Sequence, residues 1–239
     1  ETYRGVGSMK LTKSSIGSIQ FFHREGFSDL KTFEEVIGRK TYLKRGMTIK
    51  PGERWMDCGG NVGAFTLLAA SLGAKVTVYE PDPFNADMIE RNLKLNGLKA
   101  TVKQAALVHD DTKSTILYIG NNSQTWRNSI VRKWNDKGLK VPCLNFDDEA
   151  INFEACKMDI EGAEMPILEN STAAFKKLVY EWSFDIDPSL PRLWHVLDKQ
   201  KLHYNIEAAW SSIFYETKEH KAWKSSWFPA CTNVFCYAR

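Results

Sequence analysis

A glycine-rich turn between a short apolar run and a helical pattern constrains this chain more than any other feature. The segment reads WMDCGGNVGAF over residues 55–65, and its apolar run ends at Asp57. The glycines that follow are Gly59, Gly60 and Gly63. Glycine lets the backbone turn sharply and lets a ligand approach it closely, and the free N–H groups at the start of a helix can bind that ligand. The pattern therefore predicts a buried strand, a ligand-binding turn and a helix.

Strand and helix patterns alternate around this turn. The hydrophobic spacing predicts strands at 54–58, 75–79, 101–107, 114–119, 139–144, 155–160, 178–184, 203–208 and 233–237. Helices are predicted at 64–72 and 83–95, from 162, and around 190–197. This order is typical of an α/β domain with a mostly parallel sheet and helices on its faces. We assign residues 48–239 to that domain.

Residues 1–47 are expected to form an N-terminal extension, in which residues 1–8 are vector-derived. Within it, the pattern predicts a strand or hairpin arm at 15–24 and a helix over 29–43 with Ser28 as its N-cap.

The composition excludes several classes of protein. With 239 residues the chain fits one domain, and a net charge of +3 is too small for a dedicated nucleic-acid binder. No apolar run approaches the roughly 18 residues that a membrane span requires, and no secretory signal is visible. The five cysteines form no C-x-x-C pair and are expected to be reduced, mostly buried thiols. We therefore expect a cytoplasmic protein without a membrane span.

The residues around the turn indicate a nucleoside cofactor. Glu80 ends the second strand, where an acid can accept hydrogen bonds from ribose hydroxyls. Asn61 stands where a dinucleotide site needs a glycine, and the lysine of a P-loop is absent. Asp57 would repel phosphate but suits a cation. S-adenosylmethionine (SAM) carries two cationic groups and no phosphate, so it is favoured, with NAD and a cofactor-free Rossmann-like fold as alternatives.

Two separated motifs resemble the FkbM family of methyltransferases. Residues 57–96 follow its pattern D-x-G-A-N-x-G, T-x-x-x-A, E-P-D-P and R-N-x-x-x-N, with Gly60 in place of the usual alanine. The block KMDIEGAEMPIL at 157–168 matches its K-x-D-x-E-G-A-E. The resemblance covers about residues 48–184. It implies a Rossmann-like class I methyltransferase fold, with a seven-stranded, mostly parallel sheet whose last strand is antiparallel. It also implies SAM-dependent O-methylation, often of sugars or of glycosylated or polyketide natural products.

The resemblance also implies roles for individual residues. The methionine moiety of SAM would be held by Asp57, Gly59, Gly60, Asn61 and Gly63. The ribose and the adenosine edge would be held by Glu80, Pro81 and Asp82. The adenine would lie at the end of the third strand, beside Gln104 and Ala105, and Asp159 is expected to contact the cofactor as well.

Methylation of an alcohol needs a base or a metal, because an alcohol is a poor nucleophile. The carboxyl ends of parallel strands form the ligand crevice, and the acids predicted there are Asp159, Glu161 and Glu181. We assign them catalytic roles. Helix capping for the first two and a structural ion pair for Glu181 are the alternatives. A divalent ion bound by Asp159, Glu161 or Asp185 is a further possibility.

Two segments remain for the acceptor. The connection 120–133 is polar, and residues 210–228 interleave aromatic side chains with lysines. Sugars need both stacking and hydrogen bonding, so we predict a saccharide acceptor in contact with Trp126, Asn128, Trp223 and Trp227. An RNA ribose 2′-O-methyltransferase and a catalytically inactive SAM-fold binding protein are the alternative functions.

Overall fold

The computed structural model describes residues 10–120, 127–134, 136–183, 186, 189–200, 203–208, 214–215 and 232–237. The strands are β1 Leu11–Ile16, β2 Ile19–Arg24, β3 Arg54–Cys58, β4 Lys75–Tyr79, β5 Thr101–Lys103, β6 Ala106–Val108, β7 Ser114–Tyr118, β8 Gly138–Asn145, β9 Ala155–Met158, β10 Lys177–Trp182, β11 His203–Ala208, β12 Phe214–Tyr215 and β13 Thr232–Tyr237. The helices are α1 Asp29–Phe33, α2 Ala64–Ser71, α3 Pro83–Leu95, α4 Phe146–Ala150, α5 Glu164–Asn170 and α6 Leu190–Gln200, and α1 continues into a π-helical turn, Glu34–Gly38.

The main sheet has the strand order β12-β11-β13-β10-β9-β3-β4-β5. Strands β3, β4, β5, β9 and β10 run parallel to their neighbours within this set, whereas β13 runs antiparallel to both β10 and β11. The predicted architecture, a mostly parallel sheet with an antiparallel last strand, is therefore confirmed. The sheet has one strand more than predicted, because the two-residue strand β12 pairs with the outer edge of β11.

Helices cover both faces of this sheet, because its strands are apolar on both sides. Along β3, Trp55 packs into a core with α2, α3 and the N-terminal elements. Met56 and Cys58 point to the opposite face and pack with α4, α5 and α6. The four described cysteines are buried and free. None of the helices in the described residues is long and apolar enough to cross a membrane.

The predicted single strand at 101–107 is wrong, because the chain changes sheets in its middle. β5 pairs with β4 in the main sheet, whereas β6 pairs with β8 in a separate sheet of order β6-β8-β7. The break lies at Gln104 and Ala105, where the Ala105 N–H donates to the Lys103 carbonyl at 3.0 Å. This local bond turns the chain out of the parallel ladder.

The segment that we assigned to an extension packs against the domain. β1 and β2 form an antiparallel hairpin, Phe21 and Phe33 stack with ring centroids 4.0 Å apart, and both belong to the same core as α2 and α3. The predicted helix is shorter than expected, and the Ser28 side chain makes no capping hydrogen bond. Asp29 instead forms a buried ion pair with Arg24.

Two asparagines, Asn92 of α3 and Asn96 directly after it, attach the hairpin to the domain. Asn92 accepts from the Phe22 N–H at 2.6 Å and donates to the Phe22 and Val62 carbonyls at 3.2 Å. Asn96, one helical turn later, pairs in the same way with the N–H and the carbonyl of Gln20. The side-chain amides thus bind alternate residues along the edge of β2, and this accounts for the R-N-x-x-x-N motif in structural terms.

We expect Asn92→Ala to lower the free energy of unfolding by about 2–3 kcal/mol, because it leaves buried backbone groups without partners. Asn96→Ala is the matched control. This variant removes two hydrogen bonds of the same kind, but at a more exposed position where water can bond to the freed backbone groups. It should lower the free energy of unfolding by less than about 1 kcal/mol. Urea unfolding of both variants tests this, and equal losses would contradict the proposed attachment.

Candidate functional site

The glycine turn is held between the ends of three neighbouring strands. The N–H groups of Gly59 and Gly60 donate to the Tyr79 carbonyl at 2.9 and 3.2 Å. Gly59 has φ +81°, and a Cβ there would lie 1.8 Å from the Asp159 carbonyl oxygen. A side chain at Gly60 would meet Val78 Cγ2 at 2.3 Å, which explains glycine at a position where the family usually has alanine.

Asp57, which we predicted to hold the methionine moiety, has internal partners. It is fully buried, accepts a hydrogen bond from Thr66 Oγ1 at 2.6 Å and lies 3.1 Å from Lys157 Nζ. Burial raises the pKa of Asp57, and Lys157 and Thr66 oppose that shift. A direct contact between Asp57 and a ligand stays a prediction, since the charge of its carboxylate is already balanced.

Lys157 is a buried cation that sequence reasoning did not assign to the site. Its Nζ donates to the Gly59 carbonyl at 2.6 Å and to the Cys58 carbonyl at 3.3 Å. Burial lowers the pKa of Lys157, but the carboxylates of Asp57 and Asp159 outweigh burial and hold it above the usual value. Lys157 therefore stays charged and ties the glycine turn to β9.

Glu80 lies beside the turn, where the sequence predicted a ribose contact. Its carboxyl group accepts from the Asn61 N–H at 2.7 Å and from the Asp82 N–H at 3.0 Å. Burial and the charge of Asp82 raise the pKa of Glu80 to about 8, although the two N–H donors oppose the shift. The group has lone pairs left for further donors, as a ribose contact requires.

The predicted adenosine edge consists of residues with different exposure. Asp82 caps α3 by accepting from the Phe84 N–H at 2.9 Å, and it also accepts from Asn128 Nδ2 at 2.8 Å. Pro81 is half-buried, Ala105 is buried and Gln104 is exposed. Asn128, predicted to bind substrate, also accepts from the Gly120 N–H at 3.0 Å. Both polar atoms of its amide therefore have partners within the chain.

The three carboxylates that we predicted to be catalytic lie together. Asp159, Glu161 and Glu181 each place one oxygen within 4.8 Å of the others, at the carboxyl ends of β9 and β10. Burial and the charges of Asp159 and Glu181 raise the pKa of Glu161 well above its usual value. Three carboxylates at this spacing can share a proton or bind a divalent cation. Asp185, the other predicted metal ligand, lies outside the described residues.

The loop that carries Asp159 and Glu161 is fixed by two buried side chains. Glu164 accepts from the N–H groups of Ile160 and Gly162, each at 2.8 Å, and burial raises its pKa to about 7. Ser129 Oγ donates to the Glu161 carbonyl at 2.6 Å and so attaches the connection 127–134 to this loop. No side chain caps the N-terminus of α5, so the alternative role in capping is not seen.

Tyr42 is a further site residue that sequence reasoning missed. Its hydroxyl donates to Asp159 Oδ2 at 2.6 Å, and its sequence position, 117 residues earlier, carries no signal of this contact. Three predicted substrate contacts, Trp126, Trp223 and Trp227, lie outside the described residues.

The residues at the turn fit SAM. Asp57 Oδ1, Asn61 Oδ1 and Asp159 Oδ1 are buried and have no hydrogen-bond partner in the described part of the chain. Buried acceptors of this kind are costly unless a donor completes them. SAM offers an ammonium group and two ribose hydroxyls as donors, and Glu80 is placed for the hydroxyls.

Comparison with known proteins agrees with this fit. The model of the family "Methyltransferase FkbM domain" matches residues 57–206. A curated relative, the 31-O-demethyl-FK506 methyltransferase FkbM of Streptomyces tacrolimicus, is 28% identical over 109 residues, which are 45% of this chain and 38% of that protein. This chain thus spans well under half the length of the curated relative that it matches.

Solved structures with a similar backbone trace have lower sequence identity to this chain than the curated relative. The tRNA (uracil-54, C5)-methyltransferase of Pyrococcus abyssi with S-adenosyl-L-homocysteine is 12% identical, with a TM-score of 0.46 over 95% of this chain and 43% of that chain. TYW2 of M. jannaschii with AdoMet is 12% identical, with a TM-score of 0.49 over 97% of this chain and 87% of that chain. The match to the family model spans well over half of the 239 residues, and this chain therefore belongs to the SAM-dependent FkbM methyltransferase domain family, as its two motifs predicted.

Proposed function

We propose that this chain transfers a methyl group from SAM to a hydroxyl oxygen of a sugar or glycoconjugate. The observation that carries the proposal is the meeting of Asp159, Glu161 and Glu181 beside the glycine turn. When bound, SAM supplies a methyl group that its sulfonium activates for transfer. The chain must hold the cofactor, align the acceptor oxygen with the methyl group and remove the hydroxyl proton.

The cofactor would be held from two neighbouring strand ends. Glu80, after β4, accepts hydrogen bonds from the ribose hydroxyls, as its remaining lone pairs allow. Asn61, in the turn after β3, offers a buried amide oxygen without a partner in the described chain. Gly59, Gly60 and Gly63 let the turn pack closely against Asp159, Val78 and Ile89, which fixes the backbone that the methionine moiety would approach.

The acceptor proton would pass to the carboxylate cluster. Glu161 is one candidate base, because burial and the two neighbouring acids raise its pKa well above the usual value and its carboxylate therefore binds a proton more strongly than an exposed one. A base is most effective when its pKa lies near the working pH. Glu181 comes from the adjacent strand β10, and one of its carboxylate oxygens lies within 4.8 Å of an oxygen of Glu161, so both glutamates are close enough to contact one acceptor hydroxyl.

The same cluster offers a second route for the proton. A divalent cation bound by the three carboxylates would lower the pKa of an acceptor hydroxyl that coordinates it. The two routes differ in their response to a chelator: transfer that depends on a cation stops in EDTA and returns with Mg²⁺, whereas transfer by a carboxylate base persists.

A hydroxyl-bearing natural product as acceptor agrees with the comparisons. The name of the Streptomyces relative gives an oxygen of FK506 as its methylation site. The connection 127–134 contacts the Glu161 loop through Ser129. The aromatic residues at 210–228 would supply the stacking surface that a sugar ring needs.

We expect Glu181→Gln to lower kcat by roughly 10²- to 10⁴-fold, because the variant lacks a carboxylate that helps to accept the proton of the acceptor hydroxyl. The affinity for S-adenosylhomocysteine, measured by calorimetry, should change less than about twofold, since Glu181 acts on the acceptor. Asp87→Asn is the control. Asp87 is exposed and forms an ion pair with Arg91 on α3, so this variant should turn over like the wild type. A Glu181→Gln variant with wild-type kcat would contradict the catalytic assignment.

The raised pKa of Glu80 predicts a pH dependence of nucleoside binding. With a pKa of about 8 the unliganded carboxyl group is mainly protonated at neutral pH, and a carboxylate that accepts from both ribose hydroxyls must first lose that proton. Affinity should therefore rise with pH, roughly tenfold per unit below about pH 8, and level off above it.

The probe for this prediction is 5′-methylthioadenosine, which has no group that titrates in this range. Calorimetry from about pH 6 to 9 should show the rise in the wild type. Glu80→Gln should bind roughly 30- to 150-fold more weakly at high pH, without the pH dependence. If the affinity of Glu80→Gln for 5′-methylthioadenosine rises equally steeply with pH, the pH dependence belongs to a group other than Glu80.

The acceptor class is tested by methyl transfer from labelled SAM to a panel of glycans, glycolipids, a polyketide macrolide and tRNA. We expect label in the saccharides. Label in tRNA alone would replace the saccharide proposal with RNA methylation, and label in the macrolide alone would retain O-methylation with a different acceptor.

A further inference from the structure

The segment before β3 contributes a side chain to the site from outside the residues that match the family model. Tyr42 is 6% exposed. Its ring packs edge-on against Phe65 of α2 with centroids 5.9 Å apart, and Lys157 Nζ lies 5.4 Å from the ring centroid. Contacts on two sides therefore fix the place of the ring, and with it the place of the hydroxyl.

The hydroxyl engages one oxygen of Asp159 and leaves the other. Tyr42 donates to Oδ2 at 2.6 Å. A phenol is protonated at neutral pH and the acceptor is a carboxylate oxygen, so Tyr42 is the donor of this bond. Oδ1 is buried and has no hydrogen-bond partner within the described residues.

The nearby buried cation is engaged elsewhere. Lys157 Nζ lies 3.1 Å from Asp57 Oδ1 and donates to the carbonyls of Gly59 and Cys58. The contact with Asp57 is an ion pair, since Asp57 Oδ1 has no hydrogen-bond partner in the described part of the chain. Lys157 therefore balances the charge of Asp57, the acid that we first assigned to the methionine moiety. Within the described residues, Asp159 Oδ1 has neither an ion pair nor a hydrogen-bond partner.

We propose that Tyr42 is a positioning residue of the cofactor site, which holds Asp159 so that Oδ1 accepts a hydrogen bond from the α-ammonium group of SAM. This inference rests on the proposed function, because it requires SAM at the carboxyl ends of β3 and β9. The α-ammonium is the part of SAM that a carboxylate binds best. A buried carboxylate oxygen without a donor is costly, so the ligand removes a penalty that the unliganded protein carries.

The test compares two ligands that differ in the group concerned. S-adenosylhomocysteine carries the amino-acid group, and 5′-methylthioadenosine lacks it. Calorimetry should show that Asp159→Asn lowers the affinity for S-adenosylhomocysteine roughly 10- to 100-fold, and that Tyr42→Phe lowers it about three- to tenfold. The double variant should bind no more weakly than Asp159→Asn alone, because Tyr42 acts through Asp159.

Affinity for 5′-methylthioadenosine should stay within about twofold of the wild type in all three variants, and its binding also reports that each variant is folded. Tyr79→Phe is the matched control. It removes another buried phenol–carboxylate hydrogen bond, from Tyr79 to Glu149 at 2.7 Å, and should leave the affinity for both ligands unchanged.

Three results would overturn the inference while the proposed function stands: wild-type affinity of Tyr42→Phe for S-adenosylhomocysteine, additive losses in the double variant, or an equal loss for 5′-methylthioadenosine. Additive or equal losses would show that Tyr42 supports the fold as a whole. If the wild-type protein binds neither ligand, the proposed cofactor site fails, and the inference fails with it.

Discussion

The buried ion pair between Asp57 and Lys157 is the interaction on which the site depends. The two residues stand opposite each other in the parallel register of β3 and β9, and their side chains are 0% and 4% exposed. Removing two charges from water is costly, and such a pair is retained only with excellent geometry and further hydrogen bonds. Lys157 meets this condition by binding the Gly59 carbonyl. The pair therefore joins the two central strands and also sets the position of the glycine turn.

The surrounding groups extend this arrangement in both directions. Thr66, at the start of α2, donates a hydrogen bond to Asp57 Oδ2, and Tyr42 brings the N-terminal segment into contact with both Lys157 and Asp159. That segment is in turn attached to α3 by Asn92. The hairpin, the helices and the strand ends thus form one structural unit. Within it, one carboxylate oxygen of Asp57 and one of Asp159 accept hydrogen bonds from Thr66 and Tyr42. The second oxygen of each has no hydrogen-bond partner in the described residues.

Local sequence patterns were sufficient for most of the fold. The bounds of β3, β4 and α3 agree with the predicted ranges residue for residue, because apolar runs bounded by glycine and proline define them without help from distant contacts. The prediction failed at Ala105, where one apolar run serves two sheets. An apolar strand reads the same whichever sheet it joins, so periodicity could not show the break. Ser28 failed as a cap because its backbone, at φ −77° and ψ 0°, is not in the extended conformation that an N-cap residue usually adopts.

The sequence by itself determined the order of strands and helices, the glycine turn, Glu80 at the next strand end and the acids of the second motif, since each depends on neighbours within a few residues. Only the tertiary structure decided how these acids divide their work. Lys157 forms its ion pair with Asp57, whereas Asp159 receives a hydrogen bond from Tyr42, which lies 117 residues earlier in the sequence. The physical reason is that a carboxylate's availability depends on which donors surround it in space, and those donors come from strands and segments whose proximity no local pattern encodes.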